Sequence, residues 1–420
     1  MAAMSLRQQG CSAPIVVCGA EAHAPYERPP LSKSVLGDGG PDDAIGIHAP
    51  GLYADHSIDL RLEQVVVALD PHRMSARCAD GASLSFGGCL IATGGRARAL
   101  AALPIGSPGV HQVRTLDDAR ALRVALRTPG RVLVIGGGFL GLEIASTGRD
   151  AGLDVLLVET AARLLERAVP PVFSTWLAEQ ARAAGIELRL GAVIDHLSTA
   201  AGVTRLSLRG GELVEAVHTV VAIGLVPEVA LARDAGLAID PNDGGIVVDA
   251  RCQTSSPGIY AAGDCASQMR PFFGRQMRIE SWQNANDQAQ VAAAAMLGRP
   301  SPPPTVPWFW TDQLGWNIQM FGAFDPALDY RLRGARSPPG EAGRFMLLGS
   351  RNGSLRHAIA VNSGGDLRQL KGLFERHASC AMDTCAIDLL CDETRPLRPL
   401  VRDLLATLLA PAPDAATAPA

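Results

Sequence analysis

The chain has 420 residues, 47% hydrophobic and 19% charged, with a formal net charge of −4. Such a length suggests two or three domains with a large core, and the lack of a basic run or excess leaves no electrostatic footprint for nucleic acid. No apolar run reaches the ~18–20 residues of a transmembrane helix, and no charged segment followed by an apolar one marks a signal peptide, so a cytoplasmic protein with no membrane partner is expected.

The nine cysteines, at 11, 18, 78, 89, 252, 265, 380, 385 and 391, form no C-x-x-C pair. Cys380, Cys385 and Cys391 lie close together in sequence but lack a fourth ligand pattern or a paired histidine, so no metal site is expected. Only Lys33 and Lys371 among the 38 basic residues are lysines, which makes a lysine inside a motif informative.

In chain order, residues 1–10 show a helical pattern ending at Gly10, and Ile15 to Cys18 is an apolar strand followed by Gly19-Ala20-Glu21. This is the second half of a βαβ unit; the strand and glycine loop expected before the helix are absent from the sequence, and the unit reads as N-terminally truncated. PYERPPLSK (25–33) is a proline-stiffened loop, since Pro29 and Pro30 fix φ and remove two donors. Residues 34–113 hold short strands with turn signals, among them VVVALDP (65–71) and CLIATGG (89–95).

Residues 131–159 are the most informative stretch. The apolar run Arg131 to Ile135 reads as a buried parallel strand. Gly136, Gly138 and Gly141 follow at G-x-G-x-x-G spacing and open a helix through Phe139, Leu140 and Glu143, which stops at Gly152. A second strand, Asp154 to Val158, ends on Glu159. Such a unit binds a dinucleotide because its glycines let backbone N–H groups approach a pyrophosphate at the positive end of the helix. An acid at Glu159 is placed to accept from an adenosine ribose, which favours NAD over NADP. Glu143 in the first helical turn is stabilised by the macrodipole, whatever else it does.

A return strand, TVVAIG (219–224), ends on Gly224, and residues 246–262 supply two further strands. Asp264 follows Gly263 at the end of the second. Its carboxylate can accept from sugar-alcohol hydroxyls or cap a helix, and spacing alone leaves the two readings even. A proline-rich linker (299–307) precedes strand-like alternation at 315–321, 344–349 and 356–361; from about 405 the tail is low in complexity and expected to be disordered.

The motifs PYERPPLSK, Ala92-Thr93-Gly94, GGGFLGLE (136–143), YAAGDCA (260–266), IESWQNA (279–285) and WFWTDQ (308–313) together resemble the FAD-dependent ferredoxin reductases that serve multicomponent oxygenases. These are of the putidaredoxin reductase and biphenyl-dioxygenase reductase type, with apoptosis-inducing factor a more distant relative. The resemblance covers about residues 1–400. It implies an α/β fold with two Rossmann-like dinucleotide-binding domains, the NAD domain inserted in the FAD domain, and a C-terminal α+β domain. The expected bounds are 1–113 and 237–305 for FAD, 114–236 for NAD and 306–404 for the C-terminal domain, with 405–420 as tail.

The resemblance also implies residue roles. FAD would meet Glu21 (in place of the aspartate that relatives carry where Ala20 stands), Lys33, Val66, Thr93, Gly94, Arg114, Gly263, Asp264 and Trp282. NADH would meet Gly136, Gly138, Phe139, Leu140, Gly141, Glu143, Glu159 and Gly224. Lys33 and Glu143 would meet beside the flavin N5 as the catalytic pair, and Phe139 would cover the flavin ring. The implied activity passes electrons from NADH through FAD to a ferredoxin or Rieske-type iron–sulfur protein. Two other readings are a truncated protein that holds NAD but not FAD, and a flavin NADH oxidase. The latter is disfavoured because no cysteine lies between Lys33 and Arg77.

Overall fold

A computed structural model describes residues 1–37, 45–49, 51–375 and 384–409. They divide into two compact units, Met1–Leu164 with Ala184–Pro304, and Leu165–Ala183 with the chain from Thr305 onward.

In the first unit the dinucleotide signature forms as its sequence dictates. The strand Arg131–Ile135 is buried and lies at the centre of a parallel sheet in the order 187–189, 154–158, 131–135, 218–221, 110–111. An apolar run with no alternation suits a strand covered on both faces. The helix Phe139–Asp150 buries Leu142, Ile144 and Ala145 fully. Two glycines permit the close approach: a Cβ on Gly141 would stand 2.0 Å from the Gly136 carbonyl oxygen, and one on Gly136, at φ +114°, would stand 2.4 Å from that of Ala222.

The other half of the unit holds two parallel pairs, Ile15–Cys18 with Ile58–Arg61 and Cys89–Ile91 with Ile259–Ala261. Among the described residues, Ile15–Cys18 and Cys89–Ile91 each have one ladder partner. An antiparallel meander of 66–70, 75–78 and 83–85 lies between them in sequence. The helix Ala2–Gln8 packs on the helix Trp282–Met296.

The second unit is a five-stranded antiparallel sheet in the order 308–313, 316–322, 354–361, 345–351, 329–334, with short helices after it. Phe173 and Trp176, on the helix Pro171–Ala183, join Trp316 and Phe345 in an aromatic cluster with ring separations of 5.0–5.3 Å. The last helix runs Leu397–Leu409, past the expected domain end at 404, because Val401, Leu404 and Leu405 continue a helical apolar spacing. The expected tail beyond 409, and Cys380 of the cysteine trio, lie outside the described residues. Among those described, no cluster of His, Cys, Asp and Glu is placed to hold a metal ion, and no helix is long and apolar enough to cross a membrane.

Candidate active site

The glycine loop 136–141 leaves room where a ligand needs it. A Cβ added to Gly138 would meet nothing within 4 Å, whereas Gly136 and Gly141 are closed against backbone. Gly138 precedes the Phe139–Asp150 helix without a side-chain cap, so the first-turn N–H groups point into that opening. Phe139 and Leu140 are half-buried in that turn. Glu159 ends its strand and accepts from the Gly137 N–H at 2.6 Å and the Ala161 N–H at 2.7 Å, which fixes its carboxylate at the edge of the loop. Gly224, at φ +101°, accepts from the Arg98 N–H at 2.9 Å just beyond the neighbouring strand. An open cradle of N–H groups beside an anchored acid fits a dinucleotide without a 2′-phosphate.

Lys33 and Glu143 come together. The Lys33 ammonium stands 2.8 Å from Glu143 Oε1, and the Ser32 hydroxyl donates to Oε2 at 2.5 Å. The lysine also donates to the Pro29 carbonyl at 3.3 Å. The PPLS turn that precedes it, Pro29–Ser32, is a single 3₁₀ turn with prolines at its start, so the lysine leaves a stiff support.

A second group forms around Arg114. Its guanidinium lies 3.2 Å from Asp264 and so close over Gly94 that a Cβ there would meet it at 2.9 Å. Burial lowers the Arg114 pKa, with the nearby Arg28 charge next in importance, and Asp264 acts the other way. The Arg114 backbone is held by the start of the helix Leu116–Ala125. There Asp118 accepts from the N–H groups of Arg114 and Thr115, and Thr115 caps Asp118 in return. Gly263, at φ +81°, donates its N–H to the buried Gln288 side chain at 2.8 Å, and the Asp264 carbonyl accepts from Arg278 at 2.7 Å. Thr93 donates to the Glu228 carbonyl, whose own N–H returns a bond to Gly94.

Glu21 is paired with Arg28 at 2.8 Å and accepts from the Tyr26 hydroxyl. Burial first, then the bond to Glu21, pushes the Tyr26 phenol up to about 12. Arg28 in turn donates to the Arg114 carbonyl. A continuous set of polar contacts therefore runs from Glu21 through Arg28 and the Arg114 main chain to the Arg114–Asp264 pair. Val66 begins its strand opposite Cys78, and Trp282, 41% exposed, is the first residue of its helix behind the Ser281 cap.

Sequence reasoning did not pick out Ser32, Tyr26, Arg28 or Thr147. Ser32 and Arg28 lie inside the PYERPPLSK loop, where only the lysine was singled out. Thr147, whose hydroxyl donates to the Ser32 carbonyl at 3.0 Å, is one helical turn beyond Glu143 and was legible only as a neighbour of it.

A partly buried acid–lysine pair beside an open N–H cradle, and a second arginine–carboxylate group on two glycine turns, are features that suit a pyridine-nucleotide reductase of the two-dinucleotide class. Both donor sets are of a kind that suits a phosphate-bearing ligand.

The chain belongs to the pyridine nucleotide-disulphide oxidoreductase family, whose model matches residues 1–289, and a reductase C-terminal model matches 308–401. It is 38% identical over 379 residues to the 3-phenylpropionate/cinnamic acid dioxygenase ferredoxin–NAD(+) reductase component of Photorhabdus laumondii, covering 90% of this chain and 94% of that one. It is 39% identical over 377 residues to the anthranilate 1,2-dioxygenase system ferredoxin–NAD(+) reductase component of Burkholderia cepacia, covering 87% and 88%. Among solved structures, the covalent putidaredoxin reductase–putidaredoxin complex matches with a TM-score of 0.89 and 31% identity over 96% of each chain.

Proposed function

We propose that this protein is a cytoplasmic NADH-dependent ferredoxin reductase that passes electrons through FAD to a ferredoxin or Rieske-type iron–sulfur protein of an oxygenase system. The observation that supports it most is the Lys33–Glu143 pair at 2.8 Å, which links the proline loop to the helix of the glycine cradle. FAD, when bound, takes up a hydride from NADH and gives the two electrons up singly. Lys33 supplies a fixed positive charge where negative charge develops, and a preorganised charge in a partly buried site needs no reorganisation at the moment of transfer. Glu143 holds that ammonium in place. Arg114 and Asp264 hold the pyrophosphate and ribitol of FAD, with Gly94 and Gly263 allowing the approach and Val66, Trp282 and Glu21 completing the site. Gly136, Gly138 and Gly141 receive the NADH pyrophosphate, and Glu159 its adenosine ribose.

The thiol next to Asp264 in sequence is unsuited to redox work. Cys265, next to Asp264, is fully buried; burial raises its pKa, which suppresses the reactive thiolate. The proposal is tested first by the visible spectrum of the purified protein. A flavin band near ~450 nm that bleaches on anaerobic addition of NADH supports it; protein that binds NADH but takes up no flavin on incubation with FAD refutes it.

A further inference from the structure

We propose that Ser32 and Thr147 are positioning residues for the Lys33–Glu143 pair, an inference that rests on the reading of that pair given above. Glu143 is 7% exposed, so its carboxylate is held mainly by protein donors. An ionised carboxylate accepts through two oxygens. Lys33 serves Oε1 at 2.8 Å and Ser32 serves Oε2 at 2.5 Å.

The two donors do different things. An ammonium on four methylenes is a flexible point charge, and one contact from it leaves the carboxylate plane free to turn. The serine hydroxyl sits on a short side chain, 3% exposed, and a second donor on the second oxygen fixes that plane.

The serine is itself held from the same helix. Thr147 Oγ1 donates to the Ser32 carbonyl at 3.0 Å. Thr147 lies four residues beyond Glu143 and shares its face. One helix face therefore grips residue 32 twice, through its side chain at Glu143 and its main chain at Thr147. With the plane of Glu143 and the turn both fixed, the position of the next residue, Lys33, is fixed as well.

The test uses the FAD-loaded full-length protein. Ser32→Ala should lower the limiting rate of flavin reduction at saturating NADH about tenfold while the half-saturating NADH concentration stays within about twofold. Ser32→Thr, which keeps the hydroxyl, should restore most of the rate. Thr147→Val should show a smaller loss with Ser32 intact. A readout independent of turnover is the double-mutant cycle of Ser32→Ala with Glu143→Ala in urea unfolding, where the two losses should be non-additive because the acceptor is shared. A Ser32→Ala rate within about twofold of wild type overturns the proposal, as do additive losses in the cycle. Failure of the parent reading looks different: Lys33→Met would then be reduced at the wild-type rate, while the unfolding cycle would still decide whether Ser32 positions Glu143.

Discussion

Lys33 and Glu143 face one another at 2.8 Å across the junction of a proline-stiffened turn and the dinucleotide-binding helix, with their side chains 21% and 8% exposed. At that burial the pair is neither a solvated surface contact nor a fully desolvated one, and the lysine charge keeps much of its field. Replacing Lys33 by Met should leave FAD bound but slow its reduction by NADH, since one preorganised charge is worth about 2–4 kcal/mol in a transition state. Rapid-mixing absorbance measures this directly. A rate within about twofold of wild type would remove Lys33 from the reaction site.

Glu159 should make the protein prefer NADH. Its carboxylate is already tied to the Gly137 and Ala161 N–H groups, so it cannot swing aside, and it would repel a 2′-phosphate. Comparing kcat/KM for NADH and NADPH checks this, and Glu159→Ala should narrow the ratio. A native preference for NADPH would contradict the assignment.

Two glycines three residues apart should respond differently to the same change. Gly141→Ala drives a methyl against the Gly136 carbonyl at 2.0 Å, backbone against which nothing can yield, and should cost roughly 2–4 kcal/mol of stability. Gly138→Ala meets open space at an ordinary φ of −81°, so the fold should hold while NADH binding weakens, because the methyl fills part of the cradle. Melting temperature and NADH titration of the two variants separate the effects. Equal destabilisation would show that the opening at Gly138 is not ligand space.

In the C-terminal unit, His357 is buried with its Nδ1 2.7 Å from the Tyr330 hydroxyl. Burial pushes its pKa down to about 3. The folded state thus keeps it neutral at pH 5, while the unfolded chain protonates it below about 6.5. Because the unfolded state binds more protons in that interval, stability falls as pH drops from about 6.5 toward 3, by about 2 kcal/mol at pH 5. His357→Asn, which retains an acceptor for Tyr330, should flatten this acid limb in urea unfolding followed from pH 8 to 5. An unchanged slope would mean that His357 titrates alike in both states.

The parts of this fold legible in the sequence were those set by local periodicity and glycine. Arg131–Ile135 and Asp154–Val158 lie where the apolar runs placed them, and Gly10 and Gly152, both at positive φ, end their helical stretches as expected. Strands of mixed polarity were not read. Ile194–Ala200, IDHLSTA, pairs in an antiparallel hairpin whose outer face is solvated, and Trp308–Gln313 was recognised as a motif but not as a strand. The helix Pro171–Ala183 groups with the chain beyond Thr305, a long-range association that carries no local signal. In the site, Lys33 and Glu143 were found through motifs. Ser32 and Arg28 were not, because their roles arise from contacts 111 and 86 residues away.

Electrons are proposed to pass from NADH through this protein to an iron–sulfur partner. The most direct test is anaerobic: the FAD-loaded protein is mixed with excess NADH and an oxidised [2Fe–2S] protein, drawn in turn from Rieske-type and plant-type ferredoxins, and bleaching of the cluster's visible absorbance is followed. Catalytic reduction of at least one of these clusters is expected, dependent on bound FAD and lost in step with flavin reduction in Lys33→Met. Flavin that is reduced by NADH yet reduces none of these clusters, while consuming oxygen rapidly once air is admitted, would contradict it.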